Sequence, residues 1–450
     1  MLRTFVLSKA FLLIGRNFVY VRCIVLLLGI TASAAAQQPE MSMPMNMSGR
    51  ADSFLESVEM HATSGTSAEP GSTPMPMMMA MYDGWMLMFH ATAFVADIQQ
   101  TNPRGADKFF STNWFMPMAQ HTLGHGQLTF RTMLSLEPAT VSERQYPLLF
   151  QQGETAYGKP IVDGQHPHDF VMELAALYDW SVGERTLLSF YAAPVGDPAI
   201  GPVAYPHRAS AAENPVATLG HHQEDSTHIA DDVVTVGLTH GIFRIEASGF
   251  HGREPDEHRW QVQQGPIDSW STRLTVQPRR NWSGQYSYGR LHSPEQLNPT
   301  EDQERMTASL MYNRPLGNGA KGNWASTLAW GRTRAIPTNL IQNSYLLEST
   351  LHFAVKNYVW TRIENVDRTT ELLLGEQPGP PGFEEQPAGR VRAYTFGYDR
   401  DFDVLPHLRT ALGAQVTAYT PGPVLRPVYG SDPVGVVVFL RIRAVGQGQR

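Results

Sequence analysis

The chain has 450 residues, of which 42% are hydrophobic and 17% charged, and its formal net charge is -7. This negative balance, together with the lack of basic runs, excludes nucleic acid as a partner. The single cysteine, Cys23, lies in an apolar stretch near the N-terminus, so the exported chain cannot use a disulfide framework, a zinc–thiolate site or a cysteine nucleophile.

The first element in chain order is an export signal at residues 1–36. Arg22 precedes the apolar run 23–30, and small residues lead from there to Ala36. Cleavage after Ala36 makes Gln37 the first residue of the mature chain. The apolar run is too short to cross a bilayer, so the pattern predicts a cleaved signal peptide rather than a membrane anchor.

Residues 37–82 form a Met-, Ser- and Pro-rich segment with few bulky apolar side chains, which predicts a disordered periplasmic tail. Thioethers are soft ligands that favour Cu(I), and alternate methionines allow several sulfurs to reach one ion. The candidate soft-metal ligands are Met41, Met43, Met45, Met47, Met75, Met77, Met78 and Met79. The alternative is compositional bias, with methionine as apolar filler where the chain enters the next domain.

Residues 83–443 alternate apolar and polar side chains with period two. Leu128, Phe130 and Leu134, for example, share one face, and Thr129 and Arg131 share the other. Tight links alternate with long irregular ones, which predicts an all-β, up-and-down antiparallel transmembrane β-barrel with short periplasmic turns and long extracellular loops. About 16 strands are predicted, at 85–98, 109–120, 126–136, 170–181, 185–193, 231–239, 242–252, 268–277, 281–292, 304–314, 322–334, 344–354, 357–367, 390–401, 407–419 and 434–443. Residues 444–450 are predicted to form a C-terminal tail. A soluble all-β protein or a propeller is the alternative, but no blade repeat is found.

Histidines concentrate in the predicted long loops, next to carboxylates. Imidazole plus carboxylate suits zinc, copper(II), nickel or iron. The candidate metal ligands are His166, His168, Asp169, His207, His221, His222, Asp225, His228, His251 and His258. Two other interpretations stay open, a structural network between loops and a catalytic His/Asp site. The loop 194–230 is the longest, and we expect it to fold inward and narrow the lumen.

Charges on the predicted inner face indicate how a pore selects ions. Lumen-facing charge rings shape the ion preference of a channel. The side chains predicted to do so are Arg131, Glu348, His352, Arg441 and Arg443.

Two resemblances follow from these motifs. An export signal, a Met-rich tail and an outer-membrane barrel in this order resemble the copper resistance protein B family. The residues that match are Met41, Met43, Met45, Met47 and the run 75–81. That resemblance implies copper handling, although the family interleaves His and Asp in its tail and this chain has only His61 there. The blocks at 165–169 and 221–222 resemble uncharacterised bacterial outer-membrane proteins.

The sequence therefore predicts a non-enzymatic, porin-like barrel in the bacterial outer membrane for passage or binding of small solutes. Metal handling, with copper first, is the preferred finer function. The alternatives are a general or solute-specific porin whose loop histidines are structural, and a barrel enzyme with a His/Asp site at its mouth. We expect no required cofactor. The possible bound ligand is copper or another divalent metal ion. The expected partners are outer-membrane lipid and small solutes or metal ions. The oligomeric state is left open.

Overall fold

The computed structural model describes residues 51–317, 321–405 and 407–446, and most of them form β-strands. The strands are β1 (Met78–Tyr82), β2 (Trp85–Gln100), β3 (Lys108–Leu123), β4 (Gly126–Leu134), β5 (Tyr146–Pro147), β6 (Glu154–Ala156), β7 (Lys159–Ile161), β8 (Gly164–Gln165), β9 (Val171–Gly183), β10 (Thr186–Gly196), β11 (Ala230–His240), β12 (Phe243–His251), β13 (Ser269–Arg279), β14 (Trp282–Leu291), β15 (Asp302–Leu316), β16 (Gly322–Ile336), β17 (Ile341–Phe353), β18 (Asn357–Thr369), β19 (Pro387–Leu405), β20 (Leu408–Pro421) and β21 (Val434–Ala444). The helices are α1 (Phe54–Glu59), α2 (Glu137–Thr140), α3 (His221–Glu224), α4 (Glu371–Leu374) and α5 (Arg426–Tyr429), with 3₁₀ turns at Ser142–Arg144 and Ser226–His228.

Sixteen long strands, β2–β4 and β9–β21, close into one barrel. Each pairs antiparallel with its neighbour in this order, and β2 pairs with both β3 and β21. β21 pairs with β2 only from Thr92 to Gln100, and β1 pairs with the earlier part of β2, from Trp85 to Phe89. The predicted 16-strand up-and-down barrel is therefore confirmed, with the short strand β1 as an addition to its wall.

The wall has an apolar outside and a polar inside. On β13 the outward residues Trp270 and Leu274 are 45% and 44% exposed, and the inward residues Ser271, Arg273 and Thr275 are buried. In a closed barrel, the backbone hydrogen-bonding groups of every strand are paired with neighbouring strands. This wall also presents apolar side chains to lipid, as outer-membrane barrels do. The predicted outer-membrane localisation is confirmed. Within the described part of the chain, no helix is long and apolar enough to cross a bilayer.

The connections divide into two kinds at the two ends of the barrel. Short links such as 124–125, 184–185 and 241–242 lie at one end, called here the turn end, and long segments lie at the other, called the loop end. Short turns face the periplasm in outer-membrane barrels. One link was predicted wrongly. The segment 335–343 is not a long loop, because β16 and β17 extend to leave only 337–340 between them.

The largest departure from the sequence prediction is the segment 51–77, which lies inside the barrel. It contains α1, begun by Ser53, whose Oγ accepts a hydrogen bond from the Glu56 N–H at 3.1 Å. Side chains of the lumen form hydrogen bonds with the backbone of this segment. Arg131 donates to the carbonyls of His61 and Gly65 at 2.8 and 2.5 Å. The prediction of a disordered tail at 37–82 is therefore wrong for residues 51–82. Polar side chains of the lumen form hydrogen bonds with the backbone of this segment, so it is ordered without a large apolar core of its own.

Gly65 explains how closely this segment approaches the wall. Its φ is +56°, and a Cβ added there would lie 2.5 Å from the carbonyl oxygen of Asp197. Only glycine fits this left-handed, crowded position without strain. The signal at 1–36, the residues 37–50 with Met41, Met43, Met45 and Met47, and the tail residues 447–450 lie outside the described residues.

Two long loops also fill the lumen from the loop end. In the segment 135–170, Leu149 and Phe150 are fully buried, and in the segment 197–229 Val203 and Leu219 are 1% exposed. The inward fold expected of the loop 194–230 is therefore present. A second loop, not expected to do so, accompanies it.

The inward charges hold these contents in place instead of lining an open water channel. Arg131 forms a two-pronged ion pair with Glu173, at 2.6 and 2.7 Å. Glu348 accepts from Arg208 of the loop 197–229 at 2.8 Å. Arg441 and Arg443 both pair with Glu213 of the same loop. Arg131, Glu348 and Arg441 face the lumen, but they are paired and at most 1% exposed. Their predicted role in ion preference stays a prediction. Of the five predicted charges, His352 and Arg443 line the water-accessible cavity described below.

Candidate functional site in the barrel lumen

The histidines predicted as metal ligands separate into several groups. His168, His221 and His228 meet in the lumen around Tyr205, with His228 at ring-centroid distances of 5.4 and 5.1 Å from His168 and His221. Their hydrogen bonds are local. His221 Nδ1 bonds to Asp225 at 2.7 Å, and His168 Nδ1 bonds to Glu137 at 2.9 Å. His168 links α2 to the loop 197–229, because its Nε2 lies 3.2 Å from the Tyr205 hydroxyl. Among the described residues, these three histidines do not form a group that could hold a metal ion.

Burial sets the protonation of this group. Burial alone would raise the pKa of Asp225, but the hydrogen bond from His221 and the charges of His221 and Arg208 hold that pKa below its usual range. Burial lowers the pKa of His228 well below its ordinary value, so its imidazole is neutral. Burial and the nearby Asp225 raise the pKa of Glu224 to about 8. Near pH 7, His228 and Glu224 are therefore neutral beside the ionised Asp225, which is bonded to His221 and Arg208.

A second group lies nearer the loop end. Glu154, His222 and Glu254 each place a ligand atom within 4.8 Å of the other two. His222 Nε2 is buried and has no hydrogen-bond partner among the described residues. Burial lowers the pKa of His222 to about 4, which leaves the ring free to coordinate near neutral pH. Arginines also reach both carboxylates, Arg259 to Glu154 at 3.3 Å and Arg305 to Glu254 at 2.8 Å.

The remaining predicted ligands are spread apart. His166 Nε2 lies 3.3 Å from Glu154, at the edge of the second group. Asp169 pairs with Arg259 at 3.2 Å. His251 and His258 bond locally in the loop 252–268, His251 to the carbonyl of Pro266 and His258 to Asp256. Sequence reasoning missed Glu154, because it lies in a loop far from any histidine in the chain.

A third group contains His207, which does not join the other predicted ligands. Its Nε2 lies 3.0 Å from the sulfur of Met133. The indole of Trp114 packs against it, with 4.3 Å between ring centroids, and against His90 at 4.6 Å. Sequence reasoning missed His90, Trp114 and Met133. They lie on three different strands, at positions typical of a barrel interior.

A cavity of about 520 Å³ lies between the segment 51–77, the loop 197–229 and the wall. Its lining includes Met75, His90, Trp114 and His207. It also includes Val355 of the short turn 354–356, so the cavity extends to the turn end. Glu137 and His168 line its deeper part.

Comparison with known proteins gives similarity in structure only. No family model matches the chain, and no curated protein sequence matches it. Among solved structures it resembles an anion-selective porin from Comamonas acidovorans, with 12% identity, a TM-score of 0.47, and coverage of 80% of this chain and 99% of that one. It also resembles Salmonella typhi OmpF (10% identity, TM-score 0.46, 81% and 100% covered) and Pseudomonas putida OprB (9%, 0.46, 80% and 94%). The resemblance to the copper resistance protein B family stays a prediction.

Proposed function

We propose that this outer-membrane barrel binds and passes small polar solutes through its lumen, with the 520 Å³ cavity as the binding compartment. The cavity carries the proposal. Its volume lies in the range of small-molecule sites, ~300–1,000 Å³. Its polar lining includes Thr92, Thr112, Asn113, Asn323 and Thr350.

The charge of the lining narrows the class of solute. Arg443 pairs with Glu213 at 3.0 Å, and Arg409 lies 3.4 Å from Asp401. Because these charges are already compensated, the lining favours neutral or zwitterionic polar solutes over strongly charged ones.

Planar bilayer recording and solute flux into proteoliposomes test this proposal. We expect small, discrete conductance steps, because the loops and the segment 51–77 occupy much of the lumen. Thr92→Trp places a bulky ring inside the cavity, and we expect it to reduce flux severalfold. Ala93→Trp is the matched control, since the next residue on β2 faces outward. Equal flux in both variants, or none in the unaltered protein, would rule out this route.

The metal-handling function predicted from the sequence is a second candidate, supported by the Glu154–His222–Glu254 group. One imidazole and two carboxylates form a ligand set for zinc or copper(II). We expect one equivalent of either ion to bind and His222→Ala to abolish that binding. His258→Ala is the control, because His258 is exposed and bonds only locally. Unchanged binding in His222→Ala would remove this candidate.

The enzyme alternative has less support. The His/Asp pair among the predicted site residues is His221–Asp225, and both side chains are at most 3% exposed. A hydrolytic site needs room for a substrate beside its base, and this pair is enclosed by the loop and the wall.

A further inference from the structure

Methionines are concentrated on one side of the lumen. Strand pairing explains how they meet. Met88 lies opposite Met118 and Met79, and Met116 lies opposite His90. The cluster comprises Met75, Met77, Met79, Met86, Met88, Met116, Met118, Met133 and Met172, packed around Trp114. Met77, Met116, Met133 and Met172 are at most 1% exposed.

Packing alone would account for a cluster of methionines, since this side chain fills irregular gaps. Two further observations concern nitrogen. His207 Nε2 is directed at the sulfur of Met133, 3.0 Å away. The Nδ1 atoms of His90 and His207 are both buried and have no hydrogen-bond partner among the described residues. Buried imidazoles normally find a partner, so these two stand out from ordinary packing.

The contact between His207 and Met133 brings two possible ligand atoms together inside the protein, a ring nitrogen and a thioether sulfur 3.0 Å apart. Both side chains are buried. Thioether sulfur and neutral imidazole together are a soft ligand set without formal charge, which suits a monovalent soft ion better than a hard divalent one.

We propose that Met133 and His207, backed by Met77, Met116 and Met172, form a binding site for a soft monovalent metal ion of the Cu(I) and Ag(I) class. The ion reaches the site through the cavity, whose lining includes Met75, His90 and His207 and which extends to the turn end. The proposal does not depend on solute passage or on the Glu154–His222–Glu254 group. It uses different residues and a different class of metal.

The probe is Ag(I), supplied as its nitrate to the full chain folded in detergent. Met41, Met43, Met45 and Met47 are replaced by leucine in every protein compared, so that the N-terminal methionines cannot contribute. We expect one Ag(I) to bind, and Met133→Leu to weaken binding at least tenfold, because leucine keeps the volume and removes the sulfur. Met311→Leu is the control, since Met311 is buried on the inner face of β15 outside the cluster.

A second variant and a second ion keep the test decisive. His207→Gln should weaken Ag(I) binding by a similar factor, with folding checked by the heat-dependent gel mobility of the barrel. Zn(II) should bind this site at least tenfold more weakly than Ag(I). Ag(I) binding that Met133→Leu and His207→Gln leave equal to that of Met311→Leu, or the absence of Ag(I) binding in the parent, overturns the proposal. Channel recordings on the same proteins report separately on solute passage.

Discussion

At the scale of single residues, the lumen is organised by buried arginines that each serve two elements. Arg131 is 1% exposed, pairs with Glu173 and donates to the backbone of the segment 51–77. Arg208 joins the loop 197–229 to Glu348 of the wall. A guanidinium has five donors in a rigid fork, so one side chain can bind a carboxylate and a carbonyl together.

Removing such a residue should therefore cost far more than removing a surface charge. Arg131→Met leaves Glu173 buried without its partner and two carbonyls without donors, and we expect a loss of about 3–5 kcal/mol. Urea unfolding of the barrel in lipid vesicles measures it. Arg290→Met is the comparison, since Arg290 is half-exposed and lies 3.4 Å from Asp302, and it should change stability by about 0–1 kcal/mol. Similar values for the two variants would contradict this account.

At the scale of elements, the strands could be predicted and the contents of the lumen could not. Period-two alternation is a local signal, so strands such as 126–136 and 434–443 were found within a few residues of β4 and β21. The inward fold of the segment 51–77 depends on partners such as Arg131, Glu173 and Asn313, which lie 70–241 residues away in the chain and leave no periodic trace. The same holds for Glu154, His222 and Glu254, which meet only because three loops fold together.

The tether of the loop 197–229 gives a prediction at this scale. Glu213 forms ion pairs with Arg441 and Arg443 of β21, and its carboxylate is buried. Glu213→Gln removes the charge, so we expect the loop to detach more often, single-channel conductance to rise, and proteolysis within 197–229 to accelerate severalfold. Glu384→Gln, on an exposed carboxylate of the loop 370–386, should change neither. Unaltered conductance and proteolysis in Glu213→Gln would show that the tether does not restrain the loop.

At the scale of the whole molecule, the barrel inverts the arrangement of a water-soluble protein. Apolar side chains cover the outer wall, and many charges are buried in pairs in the lumen, beside apolar loop residues such as Leu149 and Phe150. Leu328 and Phe396, for instance, are 56% and 57% exposed on the outer wall. The chain therefore depends on lipid for one surface and on internal ion pairs for the other.

A charge placed on the outer wall tests the membrane assignment directly. Phe396 lies at the middle of β19, so Phe396→Arg should destabilise the folded barrel by about 2–4 kcal/mol in vesicles. Val424→Arg places the same charge at an exposed position in the loop 422–433, and we expect little change there. The free energy of unfolding in lipid measures both. Equal tolerance of the two substitutions would place the Phe396 surface outside the hydrocarbon.

The position of β1 has a consequence for assembly. The chain leaves the lumen at Met77 and enters the wall at Met78, beside the seam where β2 meets β21. The wall partners of the segment 51–77 named above, Arg131, Glu173 and Asn313, belong to β4, β9 and β15, all earlier in the chain than β21. The sheet can therefore form around the segment 51–77 before β2 pairs with β21. We expect the order of events in folding to be set by this seam, with the interior already occupied when the cylinder becomes continuous.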